Sequence, residues 1–182
     1  MRKAAFALVL AAVAAALAGA LAQPRGATAA TGVFPSPEAV AKKIDLYRKT
    51  TWRWQRVMGL RPTPTSKTAP EDPSLEYRLW VLQLWKARAL KVSRLAQHPP
   101  HRSEWLCIHR LEGSWTDSRG PYYGGLQMDI TFQRHYGLKL LARKGTAEHW
   151  TPLEQMWVAE RALRSGRGFY PWPNTARYCG LI

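Results

Sequence analysis

A chain of 182 residues with 27 Lys and Arg against 12 Asp and Glu carries a formal charge of +15. That length suits one compact domain with extensions, or two small domains, and is too short for a large α/β barrel. With 46% hydrophobic residues and nine Trp the chain can build a core, which excludes wholesale disorder, while two cysteines exclude a disulfide-dense mini-protein and a four-cysteine zinc site.

Residues 1–22 read as a signal peptide. Arg2 and Lys3 form a basic start, Ala4 to Leu21 is a run of small and apolar residues, and Ala20-Leu21-Ala22 fits the A-x-A cleavage pattern before Gln23. The competing reading is an uncleaved membrane anchor, because the run reaches the lower edge of a spanning helix. The dominance of Ala favours cleavage, secretion and no stable membrane insertion. On either reading the rest of the chain lies outside the cytoplasm. Residues 23–35, rich in Ala, Gly, Thr and Pro, read as a disordered tether.

Residues 36–100 read as a basic helical hairpin. Ser36-Pro37-Glu38 supplies an N-cap, a Pro at the first helical position and an acid in the first turn. Val40, Ile44, Tyr47, Trp54 and Met58 follow at helical spacing, and Gly59 closes the run. Arg61 to Pro73 holds four prolines and predicts a loop. A second helix is predicted from Asp72-Pro73 to about Ala96, with Leu75, Leu79, Leu82, Trp85, Ala89 and Val92 on one side, ended by His98-Pro99-Pro100. Residues 23–100 carry 14 basic against 5 acidic side chains. This charge reads either as a solvated face whose Lys and Arg stems cover apolar positions, or as adhesion to anionic wall polymers. Nucleic acid is not an expected partner of an exported chain.

The second half differs in character, with five of the nine Trp in residues 101–182. Ser103 to Leu111 predicts a helix, Pro121 to Gln127 a short extended segment broken by Gly124-Gly125, and Asp129 the cap of a helix ending at Gly137. Thr151-Pro152-Leu153-Glu154 is a capping box opening a helix that stops at Ser165-Gly166. The tail to Ile182 shows no regular periodicity.

The chain contains no G-x-S-x-G, H-E-x-x-H, P-loop or G-x-G-x-x-G. Its five histidines lack metal-ligand spacing, so no metal and no cofactor is expected. Cys107 admits three readings: half a zinc site with His109, a thiol nucleophile, or a disulfide with Cys179. In an exported chain with two cysteines the disulfide is the simplest, and its loop closure is worth about 4 kcal/mol. Glu112 ends the Ser103 helix, followed by Gly113. The helix's negative end and aromatic neighbours such as Trp115 disfavour a charge there, which suits a proton donor to a sugar oxygen. An ordinary solvent-facing Glu is the alternative.

Several segments together resemble a known family. Cys107-Ile108-His109-Arg110-Leu111-Glu112-Gly113-Ser114-Trp115 is followed by Tyr122-Tyr123-Gly124-Gly125-Leu126-Gln127. Further on come Ala159-Glu160-Arg161-Ala162-Leu163, then Trp172-Pro173 and Cys179. Over residues 101–182 this order is similar to the resuscitation-promoting-factor domain, part of the lysozyme-like, lytic-transglycosylase-like superfamily of bacterial cell-wall enzymes. The resemblance implies an α+β, mainly helical, lysozyme-like domain preceded by the helical hairpin. It implies cleavage of the bond between N-acetylmuramic acid and N-acetylglucosamine in peptidoglycan glycan strands, with Glu112 as the catalytic glutamate and Cys107–Cys179 as the disulfide. Trp115, Tyr123 and Trp172 would stack on sugars, Gln127 would hydrogen-bond them, and Thr131 would touch substrate. Here Cys107 lies five residues before Glu112, whereas the family has the two adjacent.

Of the other acids, Asp129 reads as a helix cap, Asp117 as a turn residue, and Glu160 as the partner of an Arg. The expected mechanism therefore uses one glutamate, helped by the substrate's own N-acetyl group. The expected state is a monomer, and the alternative function is a wall-binding protein that keeps the cleft without turnover.

Overall fold

The computed structural model describes residues 35–65 and 73–182. The signal peptide expected at 1–22 and the tether, apart from Pro35, lie outside the described residues, as do residues 66–72 of the Pro-rich loop.

Helix α1 (Pro37–Val57) starts as its sequence dictates, with Ser36 Oγ accepting from the Ala39 amide at 3.2 Å. Helix α2 (Leu75–Ala96) begins later than expected because Ser74 is its cap, accepting from the Tyr77 amide at 3.2 Å. The two pack along each other, with Trp52 edge-on to Trp85 at 6.0 Å. The loop after α1 is tied back by Trp52 Nε1, which donates to the Thr63 carbonyl at 2.7 Å, and by Gln55, which bonds both the amide and the hydroxyl of Thr63.

The remaining elements are α3 (Arg102–Glu112), strands β1 (Tyr122–Tyr123) and β2 (Met128–Asp129), α4 (Ile130–Lys144), α5 (Pro152–Ala162) and α6 (Pro173–Tyr178). β1 and β2 are antiparallel, pairing Tyr122 with Asp129 and Tyr123 with Met128. The described chain is thus mainly helical with one small two-stranded sheet, an α+β composition. Among the described residues no helix is long and apolar enough to cross a membrane.

Helix α5 runs through the centre. Its capping box forms as expected, and every residue from Glu154 to Glu160 is buried. Glu154 bonds the Thr151 amide and Lys144 Nζ. Burial alone would raise its carboxyl, but Lys144 and Thr151 outweigh that and hold it below the usual range. Around α5 lie Trp105, Ile108, Leu126, Phe132, Trp150 and Trp172. Glu160 pairs with no Arg side chain, contrary to expectation. Its carboxylate accepts from Trp105 Nε1 at 2.9 Å and the His101 amide at 2.8 Å, and the His101 ring lies 3.2 Å away. A buried carboxylate is satisfied by whichever donors reach it, and here those donors open α3.

Helix α4 does not end at Gly137 but continues to Lys144. A Cβ at Gly137 would lie 2.5 Å from Trp150 Cη2, so this glycine marks a close approach rather than a stop.

The hairpin shares a core with the second half. Val57, Met58, Val92 and Ala96 enclose Trp157 of α5, whose Nε1 donates to the Ala96 carbonyl at 2.8 Å. Arg161 donates to the carbonyls of Arg56 and Val57, and Arg164 to that of Met58, so both arginines satisfy the open end of α1. Burial, with Arg164 alongside, pushes the Arg161 guanidinium down to about 10. The boundary at residues 100 and 101 is a change of composition, not a gap in packing.

Candidate active site

Glu112 is the last residue of α3 and is half-buried. Thr175 Oγ1, on α6, donates to Glu112 Oε1 at 2.7 Å, and among the described residues no basic side chain pairs with this carboxylate. What places Thr175 there is the expected disulfide. Cys107 on α3 is bonded to Cys179 just beyond α6, with their Cα atoms 6.2 Å apart. Bridge and hydrogen bond clamp α3 to α6 at two points. Cys107 is thereby excluded as a nucleophile or zinc ligand.

Gly113 follows at φ 144°, a backbone conformation in which a side chain is strained. A Cβ there would meet Asp117 Oδ2 at 3.4 Å and Gln127 Nε2 at 3.6 Å, so the chain leaving Glu112 runs directly beside these two residues. Asp117 bonds the Arg119 amide and guanidinium at 2.8 to 3.1 Å. Those hydrogen bonds hold its carboxyl well below the usual carboxylate range, so it is not a proton donor near neutral pH. Asp117 Oδ2 also accepts from Gln127 Nε2 at 3.3 Å, and the Gly124 carbonyl accepts from the same nitrogen at 3.0 Å. Gln127 is held at φ 45°, the only non-glycine with positive φ among the described residues. Such a conformation costs on the order of 1–3 kcal/mol and persists where neighbouring bonds impose it.

A groove of about 310 Å³ opens beside Gln127, lined by Tyr122, Asp129, Thr131, His135 and Trp172 among others. Asp129 caps α4 as expected, accepting from the Phe132 amide at 2.7 Å.

The sequence-derived residues are not all brought together. Gln127 and Thr131 line the groove, whereas Glu112 is not among its lining residues; only the next residue, Gly113, runs beside Gln127. Trp172 reaches the groove only as part of the core: it is 4% exposed and its Nε1 donates to the Leu126 carbonyl at 2.6 Å. That burial leaves no free face for a sugar, which corrects its expected stacking role. Of the two adjacent tyrosines it is Tyr122 that lines the groove, whereas Tyr123 packs against the core. Trp115 also packs against the core and stacks on His109 with ring centroids 3.9 Å apart.

Two residues that sequence reasoning passed over, and one that it read only as a turn residue, organise the site. Thr175 fixes Glu112, and Asp117 fixes Gln127. The third is Gln155, buried in α5. Its Oε1 accepts from the Gly125 amide at 2.9 Å, and its Nε2 faces the carbonyls of Trp115, Ala147 and Trp150 at 2.8 to 3.1 Å. The signal for Gln155 was present, as an uncharged amide inside an otherwise apolar stretch of helix. Gly124 allows the approach of Gln155, since a Cβ there would lie 2.5 Å from Gln155 Oε1. Gly125 lets His109 and Trp115 close in, since a Cβ there would lie 2.5 Å from His109 Nδ1 and 2.7 Å from Trp115 Cε3.

Comparison with known proteins finds no matching family, no matching curated protein and no matching solved structure.

Proposed function

We propose that this chain is an exported peptidoglycan glycosidase of lysozyme-like fold, related to the resuscitation-promoting-factor domain, with Glu112 as its single general acid and base. The observation that carries the reading is the state of Glu112. It is half-buried, free of any cationic partner among the described residues, held by one neutral hydroxyl, and followed by Gly113, whose backbone runs beside the groove residue Gln127. The two fully buried carboxylates of α5 are held differently, Glu154 by Lys144 and the Thr151 amide and Glu160 by Trp105 and His101. The disulfide fits an oxidising compartment outside the cytoplasm.

The Thr175 hydroxyl occupies Oε1 and leaves Oε2 as the atom that gives and takes the proton. In the first step that proton passes to the glycosidic oxygen, and the C1–O bond breaks with its electron pair leaving on that oxygen. Among the described residues no free second carboxylate is at hand, since Asp117 is bound by Arg119 and Asp129 is spent on a helix cap. The carbonyl oxygen of the substrate's N-acetyl group therefore closes on C1. In the second step water, or the muramoyl 6-hydroxyl, attacks C1 and gives its proton to Glu112, while the bond from C1 to the acetamido oxygen breaks and its electron pair returns to the amide. Gln127, whose amide nitrogen is already engaged, offers Oε1 to a sugar hydroxyl or amide.

The test is release of soluble fragments from purified sacculi, read by mass spectrometry. Anhydro-muramoyl ends identify lytic transglycosylation, and reducing ends one water heavier identify hydrolysis. Binding without release would leave only the wall-binding alternative. Thr175 is a positioning residue on this reading. Thr175→Val is expected to lower kcat about 10-fold with KM little changed, the scale of one hydrogen bond to a charged group. Thr175→Ser, which keeps the donor, should restore most of the loss.

A further inference from the structure

A second cleft, of about 340 Å³, lies where the end of α1 and the turn after it face α4 and α5. Five cationic side chains line it: Arg53, Arg56, Lys139, Arg143 and Arg161. No carboxylate lines it. The nearest acid, Glu154, lies 3.8 Å from Arg53 and 3.9 Å from Arg143 and is already bonded by Lys144 at 2.5 Å. Arg56 and Lys139 are exposed, and their side chains have no ion pair or hydrogen bond among the described residues. Such unbalanced positive charge in a concave site attracts anions. Leu60, Pro62 and Leu138 alternate with these cations, so the lining suits a ligand that mixes carboxylates with small apolar groups. A uniformly charged phosphodiester chain fits such a lining less well.

His135 and Tyr136 line both this cleft and the groove beside Gln127, so the two share a wall. A substituent on a sugar held in the groove is therefore within reach of the cations. Resting on the glycosidase reading, we infer that the cleft between α1 and α4 binds the anionic peptide stem carried by the muramoyl residue. The hairpin then contributes substrate selection, favouring peptide-bearing strands over bare glycan.

The experiment compares cleavage of peptide-bearing glycan strands with cleavage of the same strands stripped of their stems by an amidase. In parallel, calorimetry measures binding of the N-acetylated tetrapeptide L-Ala–γ-D-Glu–meso-diaminopimelate–D-Ala, which carries three carboxylates. The full chain is expected to show a KM about 10-fold lower on peptide-bearing strands, the scale of one or two partly desolvated charge contacts. The Arg56→Gln/Lys139→Gln double variant should lose that preference and the peptide binding, yet cleave bare strands as before. Lys139→Glu serves as the second variant should the double one unfold, and should lose peptide binding alone. Equal KM on both substrates, unchanged peptide affinity in the variants, or binding of a glycerol-phosphate polymer in place of the peptide would overturn the inference. Peptide binding without cleavage of either strand would instead overturn the glycosidase reading and leave the cleft standing.

Discussion

Glu112→Gln is expected to reduce muropeptide release at least about 100-fold, the lower end for losing a general acid, with the fold unchanged. The substitution keeps the size of the side chain and an oxygen that can accept from Thr175 Oγ1. It strands no partner charge, because among the described residues no cation pairs with Glu112. Unfolding therefore offers no route to a large loss, and residual turnover measures the proton transfer itself. Asp117→Asn is the contrasting case. Arg119 still has an oxygen to donate to, but the charge that fixes Gln127 is gone. Its effect should be much smaller and should fall mainly on KM. Turnover of Glu112→Gln comparable to the natural chain, or a larger loss from Asp117→Asn, would remove Glu112 from the mechanism.

The features legible in the sequence are those encoded within a turn or two of chain. Ser36, Asp129 and Thr151 cap helices because their side chains reach an amide three residues on, and each does so here. The pairing of Cys107 with Cys179 was legible from two cysteines in a chain that reads as exported. The rest depends on contacts distant in sequence. Gly137 looks like a helix stop until Trp150 is seen lying across it. Tyr122 and Tyr123 cannot be assigned to groove or core from a two-residue strand, since the two faces of a strand alternate and one step of register exchanges them. Helix α6 spans only Pro173–Tyr178, too short to show a period, and owes its existence to tertiary contacts. Thr175 consequently looked like an ordinary tail residue. Trp172 illustrates the opposite error: an aromatic in a family-like motif is taken for a sugar platform when its ring fills the core.

Replacing both cysteines, Cys107→Ser with Cys179→Ser, should cost about 4 kcal/mol, the entropy of a 72-residue loop released in the unfolded chain. For a folded unit of this size that lowers Tm by roughly 8–16 °C, readable by thermal unfolding of oxidised natural chain against the variant. Stability is only part of the consequence. A six-residue helix cannot hold itself, and α6 is otherwise kept in place by buried Ala176 and by Trp172 at its start. If the bridge acted on the unfolded chain alone, the variant assayed well below its Tm would turn over normally. The geometry argues otherwise, because Thr175 lies one helical turn before Cys179 and bonds the carboxylate one and a half turns beyond Cys107. Turnover is therefore expected to fall toward the level of Thr175→Val even where the variant is fully folded. Adding Thr175→Val to the double serine variant should then cost little more, since both changes remove the same restraint on Glu112 and coupled changes do not add. Full additivity would instead show that the disulfide staples the fold while Thr175 positions the glutamate independently.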